Sequence, residues 1–218
     1  MSGPRIGSTM IEGRVEYTTS HALRIIFRTG PGDPLAVAVR GAGNGPVARS
    51  AIALGVRNGG TGKHRIRYAD GSIVWVESKT TAPTVVRRGD GAAIGTISRA
   101  RTSTAVSATA GTLFHFVPDP DEPMSAALFR ILVLDRMGAA VAHLDVVRTA
   151  AGWSLARVAN DLYDTYLWWG EAGSALAVPV LGTRLSPHRA LDRTERDVLL
   201  GVCVDITLGL RPYTAAMR

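Results

Sequence analysis

A single cysteine, Cys203, stands among 218 residues, which excludes an internal disulfide framework and any cysteine-based zinc site within one chain. Because it sits in an apolar run, it reads as a small buried hydrophobe. Aromatic residues make up only 6% of the chain, and lysine occurs twice, at Lys63 and Lys79. No apolar run approaches the roughly 20 residues that a membrane-spanning helix needs. The N-terminal stretch "MSGPRIGSTMIEGR" has no apolar h-region and no glycine directly after Met1, so neither a cleaved signal nor a myristoyl anchor is indicated. These absences predict a cytoplasmic protein without a transmembrane segment, peripheral at the membrane if it meets one. No Gly-x-Ser-x-Gly elbow occurs and no serine is visibly paired with a base. No catalytic residue, cofactor or metal is therefore assigned.

What the chain does have is arginine. Lysine and arginine total 25 against 18 acidic residues, for a formal charge of +7. With only two lysines, 23 of those 25 are arginine. A basic balance of this size suits a phosphate-bearing partner, lipid or nucleic acid. Arginine in place of lysine, in a chain rich in Ala, Gly and Val, is also what GC-rich coding produces, so the distribution matters more than the total. Between Arg57 and Arg101 lie nine basic residues, Arg57, Lys63, Arg65, Arg67, Lys79, Arg87, Arg88, Arg99 and Arg101, against Asp70, Glu77 and Asp90. That window holds +6 of the +7.

Glycine (24) and proline (11) punctuate short apolar runs, a distribution that favours strands and turns. "HRIRYADGSIVWVES" (64–78) alternates apolar and basic residues, turns at Asp70-Gly71 and resumes. Asp-Gly is a hairpin signal because both turn residues tolerate positive φ. "TVVRRGDGAAIGTISRAR" (84–101) repeats the design around Asp90-Gly91, and "FRILVLDRMGAAVAHLDVVR" (129–148) around Asp135 to Gly138. Further strands are expected over 21–28, 34–40, 111–117, 152–158, 162–169 and 175–182, about twelve in all. The stretch 46–56 fits strand or helix. "PDPDEP" (118–123) reads as a loop, since proline removes backbone donors. No linker divides the chain, so one domain is expected over 1–218, with 1–10 as a loose tail.

The segment "TERDVLLGVCVDITLGL" (194–210) breaks the strand pattern. Asp192 and Glu195 have the spacing of a capping box, while Gly209 and Pro212 form a stop. The spacing predicts a helix over about 193–208, roughly 24 Å long at 1.5 Å per residue. It has no polar face, and a helix apolar all round must be buried. One such helix and a dozen strands have few packing solutions. A closed antiparallel barrel around a central C-terminal helix buries the helix on every side and removes sheet edges. Asp205 inside it requires a partner, with an arginine or a backbone amide near the rim as the expected one.

On "RRGDGAAIGTISR" (87–99), "RILVLDRMGAAVAHLDV" (130–146) and "LDRTERDVLLGVCVDITL" (191–208), the chain resembles the tubby-like superfamily, which joins the tubby C-terminal domain, the phospholipid scramblases and the LURP-one-related proteins. The first two look like that family's unit of strand, Asp-containing turn, Gly and strand, and the third like its closing helix. The resemblance implies a roughly twelve-stranded barrel threaded by that helix, and a lipid-proximal or ligand-binding role. It transfers no site. The tubby-type phosphoinositide set, a scramblase-type calcium segment and a palmitoylated cysteine cluster have no counterpart positions here.

Other motifs are weaker. "RNGGTGKH" (57–64) mimics a phosphate-binding P-loop, yet Arg57 replaces the first glycine, His64 replaces the Mg²⁺-binding hydroxyl residue, and a strand follows in place of a helix. It reads as a glycine-rich connection whose Lys63, His64 and Arg65 remain available to an anion. His115 near Asp119, Asp121 and Glu122 reads as a solvated acidic loop beside a strand. Tyr163, Tyr166, Trp168 and Trp169 form the main aromatic cluster, with Trp168 and Trp169 on opposite faces of a strand. The leading expectation is a non-enzymatic binding module that engages anionic lipid headgroups or another phosphorylated ligand. Its contacts would be Arg57, Lys63, His64, Arg65, Arg67, Lys79, Arg87, Arg88, Arg99 and Arg101. The alternatives are a nucleic-acid-binding protein using the same basic residues, and a small-molecule enzyme or carrier with a site at the barrel mouth.

Overall fold

Residues that alternate in polarity with a period of two must present their apolar members to one side of a sheet, and here that side faces the helix. The structure, a computed structural model, describes residues 9–17, 23–40, 62–78, 83–99, 104–108, 111–121, 128–148 and 180–208. Among these the chain is mainly antiparallel β with one C-terminal helix. The strands are β1 (Ile11–Tyr17), β2 (Leu23–Arg28), β3 (Ala36–Arg40), β4 (Gly62–Tyr68), β5 (Ile73–Ser78), β6 (Thr84–Arg88), β7 (Ala93–Arg99), β8 (Thr104–Ala108), β9 (Gly111–Pro118), β10 (Leu128–Asp135), β11 (Ala140–Arg148) and β12 (Val180–Pro187), followed by helix α1 (Arg193–Leu208).

Each strand from β2 to β11 pairs with its neighbours in sequence, and β1 pairs with both β2 and β12. Inward side chains include Ile25 and Phe27, Ile66, Val74 and Val76, Val86, Ile97, Phe114, Val133, Leu144 and Leu185, none more than 2% exposed. Against them lie Val198, Leu199, Leu200, Val202, Cys203 and Val204 of α1, all at 0–1%. The helix touches β5, β6, β7 and β12. Burial pushes the Cys203 thiol up to about 12, consistent with an inert core position.

The three hairpins form where the sequence places them, though the turn chemistry differs in detail. Gly71, Gly91 and Gly138 carry φ of 81°, 88° and 84°. In each, the glycine N–H donates three residues back, to the carbonyl of Tyr68, Arg88 or Asp135. The strand is re-entered by a second bond, from Tyr68, Arg88 or Asp135 N–H to Ser72, Ala92 or Ala139. This is the bonding of a three-residue loop with glycine in the left-handed position. The aspartate acts through its side chain: Asp70, Asp90 and Asp135 Oδ1 accept from the N–H two residues on, of Ser72, Ala92 and Met137.

Two strands carry little signal in the sequence. In β1 an inward position is held by Gly13, and β8 is five residues of mostly small side chains. Of the strand expected over 175–182, residues 175–179 lie outside the described residues, and β12 runs on to Pro187; it is inconspicuous because Thr183 holds an inward position where an apolar residue is normally sought and Gly182 beside it has no side chain. The expected strands over 152–158 and 162–169, the aromatic cluster within the latter, the undecided 46–56, the 1–8 part of the tail and the helix stop at Gly209 and Pro212 lie outside the described residues.

Gly13 and Gly182 belong to the seam between β1 and β12. A Cβ at Gly13 would meet the Phe27 ring at 2.6 Å, and one at Gly182 would overlap the Gly13 carbonyl oxygen. Gly201 is where α1 approaches the wall, since a Cβ there would lie 2.9 Å from Val86 Cγ2. A side-chain methyl can shift where a backbone carbonyl cannot. Gly201→Ala is therefore expected to cost about 1–3 kcal/mol as an overpacking change and Gly182→Ala more, both read by urea unfolding. Leu200→Asp, which places a charge at the centre of the core, should abolish soluble folding.

The helix start is built as the capping box predicts. Glu195 N–H donates to Asp192 Oδ1 at 2.8 Å, and Asp192 N–H to Glu195 Oε2 at 2.9 Å. Arg189 adds a fork onto the same carboxylate, at 2.6 and 2.8 Å. The Arg189 bonds foremost hold Glu195 below the usual carboxylate range. A depressed folded pKa gives stability that is present above the unfolded value of about 4.3 and is lost as pH falls through the folded value. Unfolding free energy should thus fall with pH below about 4.3 less steeply in Glu195→Gln than in wild type.

Candidate functional site

Strand β4 reads Gly-Lys-His-Arg-Ile-Arg-Tyr, and the pleat divides it cleanly: Lys63, Arg65 and Arg67 are exposed, while His64, Ile66 and Tyr68 are buried. Register then carries the outward residues across the sheet. One row runs Arg24, Val39, Arg65, Trp75, Arg87 over β2 to β6. The next runs Arg14, Ile26, Val37, Arg67, Ile73 over β1 to β5. The outer face of this quarter is thus a lattice of guanidinium groups set among apolar side chains. Arg14 and Arg24 were outside the charge-rich window, because only strand pairing brings them beside Arg65 and Arg67.

Acids do meet this face: Arg14 Nε lies 3.3 Å from Glu12 Oε1, Glu16 stands opposite Arg24 in the ladder, and Glu77 pairs with Lys63 and Arg87. Lys63 Nζ lies 3.0 Å from Glu77 Oε1 and 4.5 Å from the Trp75 ring centroid, and Arg87 Nε lies 3.4 Å from Glu77 Oε2. Lys63 and then Arg87 hold the Glu77 carboxyl below its ordinary range, against partial burial. Arg87 also donates to the Gly91 carbonyl at 3.2 Å. Lys63 and Arg87 thus share one carboxylate, which leaves the trio a single positive charge. No ion pair to a described residue accompanies Arg65 or Arg67, which project from the exposed side of β4.

Of the other expected contacts, His64 is 4% exposed and faces the core. Arg88 also points inward: it pairs opposite Val74 in the ladder and donates from Nη2 to Thr194 Oγ1 at 2.9 Å, at the start of α1. His64 is thus a buried residue and Arg88 a part-buried one on the inward parity, because each is an even step from buried neighbours, Ile66 and Val86. Arg99 occupies the last position of β7. Arg57, Lys79 and Arg101 lie outside the described residues. His115 sits on β9 opposite Leu134 and Ala105, apart from Asp121. Among the described residues no group of three or more His, Cys, Asp or Glu is placed to hold a metal ion, and no helix is long and apolar enough to cross a membrane.

The interior polar groups fasten the helix to the wall at both ends. Near its start, Tyr68 donates to Asp197 Oδ1 at 2.6 Å, Arg196 Nη2 approaches the same oxygen at 3.3 Å, and the Arg196 guanidinium lies 4.5 Å from the Tyr68 ring centroid. Burial, then the Asp197 charge, pushes the Tyr68 phenol well above its ordinary value. Further along, Asp205, fully buried, accepts from Thr84 Oγ1 at 3.0 Å. A wall hydroxyl is thus one partner of the carboxylate for which the sequence suggests an arginine or a backbone amide.

Tyr68→Phe keeps the ring and removes the bond to a buried carboxylate, so it should cost roughly 1.5–3 kcal/mol in urea unfolding while leaving the fold intact. Compared with known proteins, the chain matches no family model, no curated protein and no solved structure.

Proposed function

We propose that the chain is a non-enzymatic binding module, a tubby-like barrel closed around α1, whose outer face over β2 to β6 engages an anionic lipid headgroup or another phosphorylated ligand. The observation that carries the reading is the placement of Arg65 and Arg67, exposed side by side on β4 and flanked by Trp75 and Ile73. Guanidinium forks match phosphate oxygens in pairs. Tryptophan with aliphatic neighbours suits the headgroup region of a bilayer. The return of the strand order from β2 to β1 supports the closed form. The tight filling of the interior by α1 turns a ligand towards the outside of the sheet.

The same arginines beside Trp75 suit single-stranded nucleic acid, since an indole stacks on a base and guanidinium contacts phosphate. Liposome co-sedimentation separates the two. Phosphatidylserine vesicles should pellet the protein at low salt and less so at physiological salt, and phosphatidylcholine vesicles should not. At about 1 kcal/mol per basic residue near the surface, Arg65→Ala with Arg67→Ala should weaken binding roughly 30-fold. Absence of pelleting at either salt removes lipid. A steep log-log loss of RNA affinity with salt in that case assigns the face to nucleic acid.

A further inference from the structure

On the same outer face as Arg65 but on other strands, two histidines distant in sequence meet. His143 projects from β11, and His188 follows the end of β12, held by its backbone N–H on the Val141 carbonyl at 2.8 Å. His188 Nε2 lies 2.8 Å from His143 Nδ1, with ring centroids 4.4 Å apart and planes at 65°. An acceptor lies behind each ring, at hydrogen-bond distance from one outer nitrogen and beyond it from the other. His188 Nδ1 is 3.2 Å from the Ala140 carbonyl oxygen, and His143 Nε2 is 4.0 Å from Asp119 Oδ2. Asp119 is itself fixed, through its other oxygen, by the Asp121 N–H at 3.1 Å.

A carbonyl only accepts, so the bond to Ala140 requires a proton on His188 Nδ1 and leaves the His188 Nε2 lone pair facing His143. Without an ion, His143 Nδ1–H donates to that lone pair at 2.8 Å. Asp119 Oδ2, at 4.0 Å from His143 Nε2, is beyond hydrogen-bond reach, but it lies on the side to which the His143 proton would move. With that proton on Nε2, both facing nitrogens would present lone pairs to a cation. An acceptor behind each ring is the arrangement found around metal-ligating histidines.

We propose that His143 and His188 form a two-imidazole chelate for a divalent late first-row metal ion, with Asp119 and the Ala140 carbonyl as positioning groups and water in the remaining coordination positions. Nitrogens at about 2.0 Å from one ion lie about 2.8 Å apart at a 90° angle and about 3.3 Å apart at the tetrahedral angle. The observed spacing therefore fits square-planar or octahedral coordination, which favours Cu²⁺ and Ni²⁺ over Zn²⁺. Bound there, the ion would tie the connector between β12 and α1 to strand β11. This inference stands apart from the anionic-ligand reading, which uses other strands.

The full chain is titrated with NiCl2 and with CuCl2, by calorimetry and by NMR of the imidazole carbon-bound protons, with copper nitrogen hyperfine splitting as a third readout. One ion per chain is expected at this pair, with perturbed His143 and His188 signals, an unchanged His115 signal and splitting from two nitrogens. His143→Asn and His188→Asn should each weaken binding at least tenfold, and the double variant should lose this site. His115→Asn should bind as wild type. Asp119→Asn should lower affinity roughly 10- to 100-fold while retaining the two-nitrogen signature. Two results overturn the proposal: no binding with the ion in large excess, or unchanged affinity and stoichiometry in a folded His143→Asn, His188→Asn double variant.

Discussion

The structure depends on one constraint: a helix without a polar face has to be enclosed. Val198, Leu199, Leu200, Val202, Cys203 and Val204 leave no sector of α1 that can meet water, so the wall must come to the helix from several sides. It does so through strands as far apart in sequence as β5 and β12. Enclosure in turn fixes what polar residues on the helix can do. Asp197 and Asp205 cannot reach solvent, and each is met by a wall hydroxyl, from Tyr68 and Thr84. Breaking a buried pair costs far more than forming it gains, so a shift of the helix that parted either aspartate from its hydroxyl would be penalised.

Enclosure also organises the outside. Once every second residue of a strand is committed to the helix, the others form rows whose composition the register decides. Across β10, β11, β12, β1 and β2, one row runs Arg130, Asp145, Arg184, Glu12, Arg28. The alternating signs largely cancel, with Arg130 Nε 2.7 Å from Asp145 Oδ1 and Arg184 Nε 3.6 Å from Glu12 Oε1. The rows through Arg65 and Arg67 contain arginine and apolar residues with no acid between them on β3 to β5. Both kinds of row are built from the same arginine-rich composition. The contrast lies in the cross-strand partner, which is why net charge alone says little about where an anion would dock.

Much of the architecture was legible because it rests on local signals. Asp-Gly turns, the Asp192 and Glu195 box and the unbroken apolar run announce three hairpins and the helix without any knowledge of partners. What stayed hidden depends on contacts between distant segments. Strand β1 is inconspicuous because Gly13 takes an inward position to make room for the Phe27 ring, and β12 because polar Thr183 faces Gly13 from inside while Gly182 lies tight against the Gly13 backbone. Likewise, no sequence window links Arg24 to Arg65, or His143 to His188. Of the basic residues singled out, the alternation in "KHRIRY" already separates Lys63, Arg65 and Arg67 from His64. Arg88 was harder to place, since an inward arginine is costly unless a helix start supplies an acceptor such as Thr194.

That acceptor bears on how the arginine excess should be understood. If coding bias alone had set it, arginines would fall on inward and outward positions without regard to cost, and the core would have to tolerate them. Among the described residues, the inward one, Arg88, lies at the open end of the wall against the helix start, and Arg196 lies over Tyr68 with its charge against Asp197. Each has a carboxylate, a hydroxyl or a ring face against part of its guanidinium, while its Nε is buried without a hydrogen bond. On the outside there is no such constraint, and Arg65 and Arg67 could have faced acids, as Arg130 and Arg184 do. They face Trp75 and Ile73 instead. A cation set beside an apolar surface keeps both its charge and its low-dielectric neighbour available to a ligand, and this pairing, more than the charge total, distinguishes the β4 face from the rest of the sheet.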